Sequence, residues 1–202
     1  MLAVIDLGGS NIGSVNNILK YLKVETKVIT EIKRSSFQNI KKIILPGVGS
    51  FKKAMENIKK NNLQDTLNDA YNSGIPILGI CLGMQLMCKY SFEGGKTEGL
   101  GWFDLNVKKF ENKKVKNIPV IGWNDVNQIK KSKIFHNINN KSNVYFLHSY
   151  YVPISKKYTI GVSDVNFKYS SVISKKNLYG CQFHPEKSQK SGIQLIKNFI
   201  NL

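Results

Sequence analysis

The sequence predicts an α/β fold: a mostly parallel open sheet flanked by helices, with an antiparallel extension in the C-terminal half. Three observations carry this. Over the first ninety residues, short apolar runs alternate with stretches whose apolar residues recur at helical spacing, as repeated β-α units require. Ile75–Ile80 is almost continuously apolar, which fits a strand covered on both faces. Beyond it the pattern changes to shorter strand-like runs separated by polar turns, as in antiparallel hairpins.

Taken in order, Leu2–Ile5 reads as a strand that ends in the turn Asp6-Leu7-Gly8-Gly9-Ser10. Ile12, Val15, Leu19 and Leu22 then mark a helix, with Ser10 or Asn11 at its N-cap. Thr26–Ile29 is β-branched and extended, and Ile43–Leu45 is a strand ended by Pro46-Gly47-Val48-Gly49. Phe51, Met55 and Ile58 predict one helix; Leu63, Leu67, Ala70 and Tyr71 predict the next, ended by Ser73-Gly74. After Ile75–Ile80 a helix is expected through Met84, Leu86, Met87 and Cys88. Leu105–Phe110, Ile118–Gly122, Val144–Leu147, Tyr158–Val162, Ser170–Ser174 and Leu178–Gln182 are the expected antiparallel strands. A helix from Ile193 to Ile200 closes the chain. No repeat or low-complexity linker interrupts this order, so residues 1–202 are expected to form a single domain.

With 202 residues, 42% of them hydrophobic, the chain can bury a substantial core. Charged residues at 21% and aromatics at 10% exclude a disordered tail. No apolar run approaches the roughly 18 residues of a membrane helix. Met1–Ile5 carries no basic residue and stops at Asp6, so no secretory signal is expected. Cys81, Cys88 and Cys181 are odd in number and lack metal-ligand spacing, which fits a reducing cytoplasm. Thirty Lys and Arg against thirteen Asp and Glu give a net charge of +17. Arg34 is the only arginine, and the lysines come in pairs along the whole chain. Base readout favours the arginine fork, so the charge reads as a solvated surface, with steering of an acidic partner or phosphorylated substrate as the lesser alternative and nucleic-acid binding as the least.

The chemistry concentrates in Gly79-Ile80-Cys81-Leu82-Gly83, between a buried strand and a helix. This is the G-x-nucleophile-x-G elbow with cysteine as the nucleophile. The tight turn strains the nucleophile's backbone, and the flanking glycines remove Cβ atoms that would collide with neighbouring backbone. The helix N-terminus favours thiolate and offers N–H groups to an oxyanion. Taken alone, the motif also fits a structural cysteine between turn glycines. Of the three histidines, His184 lies at a strand end in His184-Pro185-Glu186, where Pro185 stops the strand and Glu186 can hold the imidazole. Pro46-Gly47-Val48-Gly49 follows another strand end and can aim main-chain N–H groups at a reacting oxygen. His136, Cys88 and Cys181 read as structural.

Gly79-Ile80-Cys81-Leu82-Gly83-Met84-Gln85, followed about a hundred residues later by His184-Pro185-Glu186, resembles the class I (triad) glutamine amidotransferases. Asp6…Asn11, Pro46-Gly47-Val48-Gly49-Ser50-Phe51, Gly99-Leu100-Gly101-Trp102, Gly122-Trp123-Asn124 and His148-Ser149-Tyr150 narrow the resemblance. They point to the glutaminase subunits of imidazole glycerol phosphate synthases, nearly end to end. The resemblance implies a flavodoxin-like fold and a Cys81–His184–Glu186 triad that hydrolyses L-glutamine without cofactor or metal. Gly49 and Gln85 would contact glutamine. Leu82 and the Gly47-Val48-Gly49 loop would supply oxyanion donors, and Glu98, His148, Ser149 and Tyr150 would line the pocket. It further implies a heterodimer in which a (β/α)₈ cyclase takes up the ammonia, with Asn11, Trp123 and Lys187 at the interface.

Two segments depart from the family pattern. Asp6-Leu7-Gly8-Gly9-Ser10-Asn11-Ile12 lacks the usual aromatic after the Asp and the Met-Gly-Asn, and Val120 replaces a common His before Gly-Trp-Asn. Both fall where a partner would bind. A related glutaminase feeding a surface-polysaccharide or nucleotide-sugar amidotransferase therefore stays open at this point, as does a basic nucleic-acid-binding scaffold with a vestigial triad.

Overall fold

The computed structural model describes residues 1–8, 11–30 and 39–202. The strands are β1 (Leu2–Ile5), β2 (Thr26–Ile29), β3 (Lys42–Gly47), β4 (Ile77–Cys81), β5 (Cys88–Ser91), β6 (Thr97–Glu98), β7 (Phe103–Lys109), β8 (Val120–Gln128), β9 (Ser142–His148), β10 (Tyr150–Tyr151), β11 (Thr159–Asp164), β12 (Lys168–Lys175) and β13 (Leu178–Cys181). The helices are α1 (Ile12–Tyr21), α2 (Phe51–Lys60), α3 (Leu63–Asn72), α4 (Leu82–Leu86) and α5 (Gln189–Ile200). Nine strands form the main sheet in the order β2-β1-β3-β4-β13-β12-β11-β8-β9. The β2-β1-β3-β4-β13 half is parallel, and the remaining pairings are antiparallel.

The period-2 alternation of strand side chains sorts the core into two layers. Ala3, Ile5, Ile43, Leu45 and Ile77 face α2, α3 and α4, where they meet Phe51, Met55, Ile58, Leu63, Leu67 and Met84. Leu2, Val4, Ile44, Leu78 and Ile80 face α1 and α5, where they meet Val15, Leu19, Leu195, Ile196 and Phe199. Double coverage explains the nearly unbroken apolar runs of β1, β3 and β4. At the other edge β8 and β9 alternate: Val120, Val126, Val144 and Phe146 are buried, while Ile121, Trp123 and Leu147 are exposed. The register pairs Ile121 with Leu147 and Trp123 with Tyr145, so these four share the outward face.

Three expectations change. The helix after Cys81 is short: it ends at Leu86, and Cys88 opens β5 instead of continuing it. The carbonyls of Leu86 and Met87 are taken by the N–H groups of Leu100 and Phe103, which draws the chain into strand pairing. The strand expected at Leu105–Phe110 forms, but as β7 of a separate four-stranded sheet, β10-β7-β5-β6, and not as an extension of the main one. At the start of α1, Asn11 holds the cap position without capping a backbone N–H; its Oδ1 accepts from Ser14 Oγ at 2.9 Å. The alternative cap, Ser10, lies outside the described residues. Lysines pair with carboxylates at Lys89–Asp104 (3.4 Å) and Lys114–Glu111 (2.9 Å), both on the surface.

The C-terminal helix is seated on the turn that follows β13. A Cβ on Gly192 would stand 1.9 Å from the Pro185 carbonyl oxygen, a backbone atom with no room to yield. Gly192→Ala is therefore expected to destabilise the protein by about 3 kcal/mol and to displace the 184–186 segment. Chemical denaturation measures the first effect, and histidine NMR shifts measure the second.

Candidate active site

β3, β4 and β13 are parallel neighbours, with Gly47 opposite Cys81 and Cys181 opposite Ile80. The segments leaving their C-terminal ends therefore emerge together: Gly47-Val48-Gly49, Cys81-Leu82, and His184-Pro185-Glu186. In an open α/β sheet this edge is where sites form. Cys81 has φ 53° and ψ −109°, a conformation rare for any residue with a side chain, and α4 starts immediately after it. Both flanking glycines are dictated by space. A Cβ on Gly79 would lie 2.7 Å from Gly83 C and Met84 N, and one on Gly83 would lie 1.7 Å from the Leu45 carbonyl oxygen. Only with bare Cα atoms there can α4 approach β3 closely enough to leave the Cys81 sulfur at the sheet edge.

His184 is fixed on all sides. Its N–H donates to the Tyr145 carbonyl (2.9 Å), and its carbonyl accepts from Ser188 Oγ (2.6 Å). Pro185 opens a single 3₁₀ turn, Pro185–Lys187, that brings Glu186 back onto the imidazole. Nδ1 lies 2.7 Å from Glu186 Oε1, and both side chains are 2% exposed. Beside a carboxylate Nδ1 carries a proton, which directs Nε2 as the exchangeable position. Burial depresses the proton affinity of His184, but Cys81 and Glu186 outweigh it and hold the imidazole up at about 10. Nε2 makes no conventional hydrogen bond in this state. The thiol instead points to the Leu147 carbonyl (3.8 Å) and accepts from Gln182 Nε2 (3.6 Å). Cys81 acts on the imidazole through proximity.

A cavity of about 200 Å³ opens beside the sulfur, lined by Val48, Gly49, Cys81, Leu82, Gln85, Glu93, Leu147, His148, Ser149 and Tyr150. Most pocket residues expected from sequence thus converge here. Gly47 stands one step back, paired in the sheet beside Cys81. Glu98 does not converge: it sits exposed on β6, opposite Tyr90. The carboxylate in the wall is Glu93, from the turn between β5 and β6, whose Oε2 also accepts the Phe51 N–H at the start of α2 (3.0 Å). Glu93 and Gln182 are additions that sequence reasoning missed; the one signal for Gln182 is an amide directly after the strand that ends at Cys181. Cys88 and Cys181 are buried, and burial pushes both thiols upward, which disfavours the thiolate at either position. Among the described residues no three of His, Cys, Asp and Glu stand together as a metal site, and no helix is long and apolar enough to cross a membrane.

The interface candidates lie to one side of the cavity. Trp123 is half-exposed and its ring meets Tyr145 at 6.0 Å. The exposed Lys187 places Nζ 5.7 Å from the centroid of the same Tyr145 ring. Asn11 begins α1, which packs beside the Pro185–Lys187 turn.

The chain matches the family model "Glutamine amidotransferase class-I" over residues 3–202. It is similar to an imidazole glycerol phosphate synthase subunit HisH of Pelagibacter ubique, 38% identical with 100% of this chain and 99% of the relative covered. It is also similar to one of Caldanaerobacter subterraneus, 40% identical with 98% and 97% covered. Among solved structures, a glutamine amidotransferase from Thermotoga maritima superposes with a TM-score of 0.70 at 16% identity, covering 99% of this chain and 82% of that one. Another glutamine amidotransferase superposes with a TM-score of 0.77 at 15% identity, covering 99% and 97%. The structural likenesses establish the α/β, flavodoxin-like fold.

The cavity's two histidines make opposite demands on pH. Burial lowers His148 to about 4; its Nδ1 bond to the Tyr150 carbonyl (2.7 Å) opposes this, and the nearby His184 adds to it. The folded value lies below the ordinary 6.5, so the unfolded chain takes up that proton first. The stability neutral His148 contributes is complete above pH 6.5 and is lost as pH falls toward 4. His184 is raised, so its contribution is complete below pH 6.5 and is lost as pH rises through about 10. In denaturation midpoints measured against pH, His148→Asn is expected to flatten the acid limb and His184→Asn the alkaline limb. Unaltered limbs would contradict these environments.

Proposed function

The chain belongs to the class I glutamine amidotransferases, and from this we propose that it is the glutaminase subunit of an imidazole glycerol phosphate synthase, acting through Cys81, His184 and Glu186. The whole of residues 1–202 serves as one amidotransferase domain. The observation that carries the reading is the buried His184–Glu186 pair, 2.7 Å apart, set at the same sheet edge as a cysteine on a strained elbow.

Cys81 attacks the side-chain carbonyl carbon of glutamine as thiolate. Its proton resides on His184, and Glu186 stabilises the resulting imidazolium. Negative charge on the amide oxygen is met by the Leu82 N–H at the start of α4 and by main-chain N–H groups of the Val48–Gly49 segment. His184 protonates the departing nitrogen, ammonia leaves, and a glutamyl thioester remains. Water, relieved of a proton by His184, hydrolyses that thioester to glutamate. Glu93, the carboxylate in the cavity wall, suits the α-ammonium of a free amino acid, and Gln85 offers a further contact.

Ammonia released into open water would be protonated and lost as a nucleophile. The reading supplies a cyclase partner of (β/α)₈ type, docked on the outward face of β8 and β9. That face carries Ile121, Trp123 and Leu147 beside the cavity, with Lys187 at its margin. The cyclase uses the ammonia to form imidazole glycerol phosphate and an aminoimidazole carboxamide ribotide in histidine biosynthesis. Full-length similarity to HisH subunits at 38–40% identity supports this acceptor over a sugar-modifying one, despite the departures at residues 6–12 and at Val120.

Cys81→Ala is expected to reduce glutamate release to background while the assembled complex still works with free ammonia. Persistent glutamine hydrolysis in that variant would remove Cys81 from the mechanism. Lys187→Ala is expected to lower the stimulation of glutamine hydrolysis by the cyclase with little change in thermal midpoint; unchanged stimulation would place Lys187 outside the interface.

A further inference from the structure

Gln182 is fully buried two residues before His184, and the mechanism above makes no use of it. Its side chain is nevertheless committed at both ends. Oε1 accepts from Gln85 Nε2 (3.0 Å), and Nε2 donates to Cys81 Sγ (3.6 Å). Gln85 Nε2 donates its other proton to the Tyr150 carbonyl (3.0 Å), which also receives the Nδ1–H of His148 (2.7 Å).

The direction of this chain is chemically forced. A main-chain carbonyl only accepts, so Gln85 must turn its NH₂ group toward Tyr150. The same nitrogen faces Gln182, which must answer with its oxygen. Gln182 is then left with its NH₂ group against the sulfur. One carbonyl thus sets the orientation of two amides and ensures that Cys81 meets a donor. Because both N–H groups of Gln85 are spent inside the protein, Gln85 can offer a ligand only its oxygen.

We propose that Gln182 is a positioning residue for the nucleophile: the last member of a relay from the Tyr150 carbonyl through Gln85, it delivers an N–H to the Cys81 sulfur. The proposal rests on Cys81 being the nucleophile, as inferred above. An N–H aimed at sulfur favours the charged form over the neutral thiol. Together with the Leu147 carbonyl on the other side, it also fixes where the sulfur sits before glutamine enters.

The test is Gln182→Met, which keeps the length and removes the donor. The isolated chain is treated with iodoacetamide over a range of pH, and labelling of Cys81 is followed by peptide mass spectrometry, with the buried Cys88 and Cys181 as internal controls. Loss of a hydrogen bond to a charged group is expected to slow Cys81 labelling by about tenfold at neutral pH, with a deficit that closes as pH is raised. In glutamine hydrolysis kcat should fall more than KM changes. A labelling profile that superposes on that of the unmodified protein would overturn the proposal, as would an equal loss at every pH, which marks a merely structural role. Thermal melting checks that the variant folds. If it does not, Gln182→Asn, one methylene too short to span from Gln85 to the sulfur, is read in the same way. Acid-quenched unmodified protein incubated with glutamine separates the two levels of the argument. A glutamyl adduct on Cys81 together with a flat Gln182→Met effect discards the relay alone, whereas no adduct discards the nucleophile assignment beneath it.

Discussion

The close approach of α4 to β3 is the constraint on which the site depends. Gly83 lies against the Leu45 carbonyl so tightly that no side-chain atom fits between them. That contact sets where the helix begins, and so where the Leu82 N–H points and which helical turn carries Gln85 into the cavity. It also forces the strand to turn within one residue, which is why Cys81 takes a left-handed φ. Neighbouring strands contribute by register: with Gly47 beside Cys81 and Cys181 beside Ile80, their outgoing loops cannot avoid the same spot. The cavity is thus a consequence of backbone packing first and of side-chain identity second.

Electrostatics then divide the work between two buried imidazoles. His184 has a carboxylate on one nitrogen and a sulfur near the other, so its environment favours the cation. His148 has a carbonyl on one nitrogen and aromatic rings around it, including Tyr169 at 5.2 Å, so its environment favours the neutral form. The charge on His184 also keeps His148 neutral, since a second cation beside the first would be repelled. His148 serves as a donor to the Tyr150 carbonyl.

Sequence was a good guide wherever geometry is local. The elbow glycines, the apolar strands of the parallel half and the His-Pro-Glu turn are all decided by residues a few positions apart, and each lies where its pattern implies. The parts that sequence left unread depend on distant partners. Glu98 is the acid the resemblance implies; the pairing of β5 with β6 instead leaves Glu98 exposed and turns Glu93 into the cavity wall. Cys88 continues a helical spacing but is claimed for a strand by N–H donors more than ten residues downstream, which take the carbonyls of Leu86, Met87 and Cys88. The hydrogen bonds of Gln182 reach back about a hundred residues, to Gln85 and Cys81. No local periodicity reports a contact of that kind.

The lysine-rich surface has a colloidal consequence separate from catalysis. Thirteen acidic side chains cannot neutralise thirty basic ones, and among the described residues the pairs at Lys89–Asp104 and Lys114–Glu111 are solvent-exposed, so the molecule carries a large positive excess. Molecules carrying such a coat repel one another, which keeps them dispersed, and each is strained by its own like charges. Dissolved electrolyte relieves both effects over a distance of about 10 Å at 0.1 M. Ionic strength therefore trades cohesion within one molecule against separation between molecules.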